Sequence, residues 1–149
     1  MYSFEQYYSI HESVQISIDQ IENLKDDKLF VTIGGGVGSG KTFLAKKFIT
    51  LPVRTMTEAI GGDESFIHMG TNSNVNSTKQ RLQEAKENGF TTVLVLIDTH
   101  PDIVAEQIEL ESNLIEMERI VQSRDDALNV FETLKKDNTL VDFYVHNKR

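Results

Sequence analysis

Residues 29–48, "LFVTIGGGVGSGKTFLAKKF", carry the pattern from which the rest of the chain is read. They form an apolar, β-branched strand over 29–33, a glycine-rich turn, and a helix from near Lys41 to about Ile49. An unbroken apolar run suits a parallel strand buried on both faces. The turn contains G-x-x-x-x-G-K-T, from Gly35 to Thr42. Gly35, Gly38 and Gly40 let the backbone turn tightly and approach an anion, and the N–H groups from Gly36 to Thr42 can face a β-phosphate. The following helix adds the positive end of its dipole. Lys41 can bridge β- and γ-phosphates, and Thr42 can set its hydroxyl on Mg²⁺. The expected nucleotide-binding set is Gly35, Gly36, Val37, Gly38, Ser39, Gly40, Lys41, Thr42 and Phe43, with ATP and Mg²⁺ as ligands. The sequence has no N-K-x-D to read guanine, which favours ATP over GTP.

Composition sets the outer bounds. A length of 149 residues predicts one domain, large enough to bury a core. Apolar residues at 39% and charged residues at 26% describe a soluble globular chain. The absence of cysteine excludes disulfides and thiolate metal sites. Histidines 11, 68, 100 and 146 are spaced too widely for a metal-ligand pattern. The net charge of −8 opposes general attraction to nucleic acid or anionic lipid. No apolar run approaches the ~20 residues of a membrane span. The first residues lack the basic and apolar regions of a signal peptide, so the expected location is cytoplasmic.

Upstream of the glycine-rich stretch, residues 1–28 predict an N-terminal helix over 3–25 and a turn. Phe4, Tyr7, Tyr8, His11, Val14, Ile18, Ile21 and Leu24 recur at helical spacing. Such a helix covers the sheet or, alternatively, docks a protein partner. Downstream, residues 29–149 predict a nucleotide-binding core. Its expected elements are a weak short strand over 51–56, a loop through Gly61-Gly62, a strand over 66–70 and a helix ending at Gly89. A strand over 91–97, a long helical stretch over 102–136 broken near Ser123, and a strand over 140–146 complete the chain. Alternation of this kind predicts an α/β fold of three layers, a P-loop NTPase fold with a five-stranded parallel sheet and helices on both faces.

A nucleoside triphosphatase needs a carboxylate at a strand end to hold the metal's water shell. Asp98, in "VLVLID", fits that pattern. If 91–97 lies beside the P-loop strand, Asp98 is a Walker B residue and a metal ligand with Thr42. If 66–70 is the neighbour instead, that strand ends without an acid.

Several further segments, in order, resemble the small P-loop kinases that include zeta toxins and phage-type polynucleotide kinases. "GGGVGSGKT" matches their glycine-rich loop, "IHMGTNSNVNSTKQR" their third strand and following helix, "ENGFTTVLVLIDTHPDIV" their fourth strand, and "VDFYVHN" their last. The similarity spans about residues 29–147. It implies transfer of the ATP γ-phosphoryl group to a hydroxyl of a small metabolite or nucleotide. It also implies a base after the second strand, for which Glu58 and Asp63 are available, and lid arginines, for which Arg119 and Arg124 are available. Thr71, Asn72 and Asn74, past the third strand, are candidates for binding the acceptor's hydroxyls or the magnesium waters, with Asn76 or Ser77 as the expected N-cap of the next helix. Asn147 is a candidate for the nucleobase. The family's aspartate pair before an arginine is missing, and the first half of the lid segment, "AEQIELESNLIEME", is acidic. Three functions follow as expectations: a small kinase, an ATPase using Asp98, or a non-catalytic nucleotide-binding module.

Overall fold

Leu29–Gly35 forms a strand, β2, that is buried at every position, as its apolar sequence requires of a central strand. The computed structural model describes residues 12–24, 27–110 and 117–149. In chain order β1 (Val14–Gln15), a 3₁₀ helix (Ile18–Leu24) and β2 are followed by α1 (Lys41–Phe48) and the single turn α2 (Met56–Ala59). Then come β3 (Phe66–Met69), α3 (Val75–Glu87), β4 (Thr91–Asp98), α4 (Pro101–Leu110), α5 (Met117–Leu134) and β5 (Phe143–Lys148). The strands form one five-stranded sheet in the order β1-β5-β4-β2-β3. Every pairing is parallel. β2 therefore has two neighbours, with Ile33 level with Met69 of β3 and Gly35 level with Ile97 of β4.

Alternate residues of β2 separate the two halves of the core. Leu29, Val31 and Ile33 pack with Ile18 and Ile21 of the 3₁₀ helix and Leu44, Ala45 and Ile49 at α1. Phe30 packs on the other face with Leu82 and Ala85 of α3 and Ala127, Val130 and Phe131 of α5. Helices thus cover both faces. Among the described residues no helix is long and apolar enough to cross a membrane.

Four expectations are corrected. The expected helix over 3–25 lies partly outside the described residues, and its described part is a two-residue strand and a 3₁₀ helix. β1 pairs with β5, and Ser13 Oγ donates to Val141 O (2.6 Å), which ties the segment to the sheet edge. The fifth strand is therefore β1, not residues 51–56. Those residues make one parallel bridge, Val53 to Ile67, because Pro52 has no N–H to give and Thr55 already caps α2. Ser123 does not break a helix: it lies inside α5, where its Oγ donates to Ile120 O (3.1 Å). The last strand runs three residues later than expected at its start, from Phe143. Gly89 ends α3 as expected, with φ 82°.

Candidate functional site

The glycine-rich loop joins the C-terminal end of β2 to α1. Gly40 is the N-cap of α1 at φ 89°, a left-handed conformation that disfavours a side chain, and no side chain caps the helix. The first intrahelical bond is Leu44 N–H to Gly40 O (3.0 Å). The N–H groups of Gly40, Lys41, Thr42 and Phe43 thus precede the helical ladder and form its positive end. Lys41 Nζ folds back to donate to Gly35 O (3.1 Å) and Gly36 O (3.4 Å). Burial lowers its pKa from the ordinary lysine value. Ser39 Oγ is buried and has no partner among the described residues. An ammonium satisfied, among the described residues, by loop carbonyls, beside open amides and an orphaned hydroxyl, fits an anion such as a phosphate chain.

The loop's outer side is fastened to the β4 side of the sheet. Val37 N–H donates to Ser123 Oγ (2.9 Å). Thr99 Oγ1 (2.6 Å) and Arg149 Nη1 (3.1 Å) both donate to Ser39 O. Asp98 follows in the same region and is only 5% exposed. Its two oxygens take Arg124 Nε (2.6 Å) and His146 Nε2 (2.7 Å). Burial pushes this carboxyl up, but the hydrogen bonds from Arg124 and His146 and the Arg124 charge outweigh it, so its pKa lies below the ordinary 3.8.

On the other flank β3 ends beside a cleft of about 460 Å³ lined by Arg54, Glu58, His68, Met69 and Arg81. Thr42 Oγ1 donates to Met69 Sδ (3.3 Å), which joins this cleft to the start of α1. A second cavity of about 220 Å³ shares His68 and Arg81 and extends to Thr71, Ser73 and Ser77. A buried polar chain supports both. Arg81 Nη2 donates to Asn72 Oδ1 (3.0 Å), and Asn72 Nδ2 donates to Thr32 Oγ1 (3.0 Å). Thr32 Oγ1 in turn lies 3.1 Å from His68 Nδ1. Burial, then the Arg81 charge, lowers the His68 pKa from 6.5 to about 4, so the ring is neutral at pH 7.

These placements sort the expected residues. Glu58 lies in the cleft. Asp63 is fully exposed beside Lys28 (3.9 Å), just before β2 begins, at the far end of that strand from the loop. Arg124 is held by Asp98, whereas Arg119 is exposed among Met117, Glu118 and Val121. Thr42 and Asp98, expected to share a metal, have separate partners. Among the described residues no three His, Asp or Glu side chains cluster to hold a metal. Asn74, not Asn76 or Ser77, caps α3 by accepting from Ser77 N–H (3.0 Å), because the helix already starts at Val75. Asn72 is turned into the interior, 5% exposed, and Thr71 Oγ1 meets Ser73 Oγ (3.2 Å). Asn147 lies on β5 level with Ile97, and Phe43 is 63% exposed.

Sequence reasoning missed Ser123, His146 and Arg149 on one flank and Arg81 on the other. The "STKQR" helix contained a signal for Arg81, a lone arginine four residues after Ser77. Nothing local marks Arg149 or His146 as neighbours of the loop, since both arrive through sheet register. No protein-family model matches the chain, and comparison with curated proteins gives no significant match.

Proposed function

We propose that this chain is a small P-loop phosphotransferase that binds ATP and moves its γ-phosphoryl group to a hydroxyl of a small metabolite or nucleotide, in the manner of zeta-toxin-like kinases. The observation that carries the reading is the uncapped start of α1 with Lys41 beside it, opening next to a cleft that contains Glu58. In this reading Lys41 leaves the carbonyls of Gly35 and Gly36 for the phosphates, and the N–H groups of Gly40 to Phe43 hold the same anion. Thr42 leaves Met69 to hold Mg²⁺. ATP supplies the phosphoryl group, with ADP as leaving group, and Mg²⁺ neutralises charge on the phosphate oxygens. Glu58 orients the acceptor hydroxyl and takes its proton as the hydroxyl oxygen bonds to phosphorus.

A second reading, ATP hydrolysis with Asp98 as metal ligand, is favoured by one observation: β4 lies directly beside β2, with Ile97 level with Gly35. It requires Asp98 to release Arg124 or His146. Incubation with γ-labelled ATP, Mg²⁺ and a small-molecule cell extract, beside a Lys41→Ala control, separates the two. The kinase reading expects a labelled compound whose formation needs Lys41 and Glu58 and survives Asp98→Ala. Label released only as inorganic phosphate, and lost in Asp98→Ala, would replace it with the ATPase reading. Absence of any ATP binding that depends on Lys41 would sink both.

A further inference from the structure

We infer that the molecule entering the Glu58 cleft carries a phosphomonoester of its own, held by Arg81 and Arg54. This rests on the kinase reading for the identity of the molecule as acceptor, but the anion site stands on separate observations. The chain has 23 acidic and 15 basic residues, so its average surface repels phosphate esters. The cleft reverses that balance locally: among the described residues lining it, Arg54 and Arg81 stand against Glu58. A hydroxyl alone needs one carboxylate to orient it and gives no use for two guanidinium groups.

Arg81 is built into position. Its Nη2 is anchored to Asn72 Oδ1 (3.0 Å) and Thr78 Oγ1 (3.3 Å), both neutral acceptors. Its Nε has no partner among the described residues, although it is shut from solvent. The guanidinium is therefore half-buried, charged, fixed at one end and paired with no carboxylate among the described residues. Burial depresses its pKa from the ordinary arginine value, which marks a cation short of compensation. A dianionic phosphate provides that compensation through charge-assisted hydrogen bonds. Arg54 is exposed at the rim, its Nη1 donating to its own neighbour Val53 O (3.1 Å), and can swing to a ligand at little cost. Thr71, Ser73 and Ser77 in the adjoining cavity add hydroxyl donors. The N-terminus of α3 is already capped by Asn74 and contributes little, so the two arginines carry the site.

The test uses the full chain with labelled arginine side chains, followed by NMR, with glycerol 3-phosphate as probe and glycerol as its uncharged match. The Arg81 Nε signal should shift with glycerol 3-phosphate and not with glycerol, and should still do so in Lys41→Ala. Arg81→Gln should weaken binding by about tenfold or more, and Arg54→Ala by a smaller factor. Arg54 is exposed, so its variant keeps the test open even if Arg81→Gln unfolds the chain. Shifts confined to the glycine-rich loop, abolished by Lys41→Ala, would overturn the site. ATP binding and turnover on the same variants separate this inference from its parent. Phosphate binding at Arg81 without Lys41-dependent ATP binding would keep the site and remove the kinase. A working kinase whose KM for every acceptor is unchanged by Arg81→Gln and Arg54→Ala would keep the kinase and remove the site.

Discussion

On the β4 flank of the glycine-rich loop, Arg124 is closed onto a buried aspartate that also holds His146; on the β3 flank, Arg81 is held by amide and hydroxyl oxygens and faces a cleft. Both arginines come from helices on the same face of the sheet, and both stand beside strands that pair with β2. The difference lies in what neutralises them. Asp98 answers the charge of Arg124 within the protein, so that flank serves as a fastening for the loop. Among the described residues Arg81 is answered only by dipoles, so its charge remains available to a ligand. A cation near a loop is therefore informative only once its counter-charge is known.

The loop itself, between the flanks, should give the largest effect. Lys41→Ala should weaken ATP binding by about tenfold to a hundredfold, measured by calorimetry, because it removes hydrogen bonds to a charged ligand. Breaking the fastened flank comes next. Asp98→Ala strands Arg124 and His146, a loss of up to ~5 kcal/mol for a fully buried pair. The Arg124 side chain is 33% exposed and can rehydrate, so about 2 kcal/mol is expected. Thermal unfolding should register that as a drop of about 4–8 °C. On the cleft side, Asn74→Ala removes the cap of α3 and should cost about 1 kcal/mol in a urea titration.

A further measurement sharpens the comparison by pH. The His68 pKa is about 4 folded against 6.5 unfolded, so its contribution is fully present above pH 6.5. As pH falls from 6.5 to 4 the unfolded chain takes up a proton that the folded chain refuses, and stability declines. Asp98, depressed below 3.8, gives up its contribution only at lower pH still. Melting curves of His68→Gln should lack part of the wild-type loss between pH 6.5 and 4 and run parallel to it below. Equal slopes for the two proteins across that window would refute the assignment.

Much of the sheet was legible because its signals are local. β2 and β4 announce themselves as apolar runs, and Gly89 as a helix stop. The edges were not. A strand of two residues, Val14–Gln15, has no period to detect, and the apolar positions at Ile18, Ile21 and Leu24 suit a 3₁₀ turn as well as an α-helix. The question of which strand flanks β2 had no answer in the sequence because both do. Of the candidate site, Lys41 came from the motif and Glu58 from the resemblance. Arg81 and His146 were not legible, since their roles come from crossovers that bring distant positions to one strand end.

Asn72 sits at φ 48°, unusual for a residue with a side chain, and its amide fills the space over Gly34. A Cβ on Gly34 would lie 2.7 Å from the Asn72 Cβ. The two positions are therefore halves of one joint that couples the strand entering the glycine-rich loop to the helix bearing Arg81. Neither can be varied alone in a redesign of the cleft. A larger residue at 34 expels the amide, frees Thr32 and Arg81 together, and makes the effects of substitutions on the two elements non-additive.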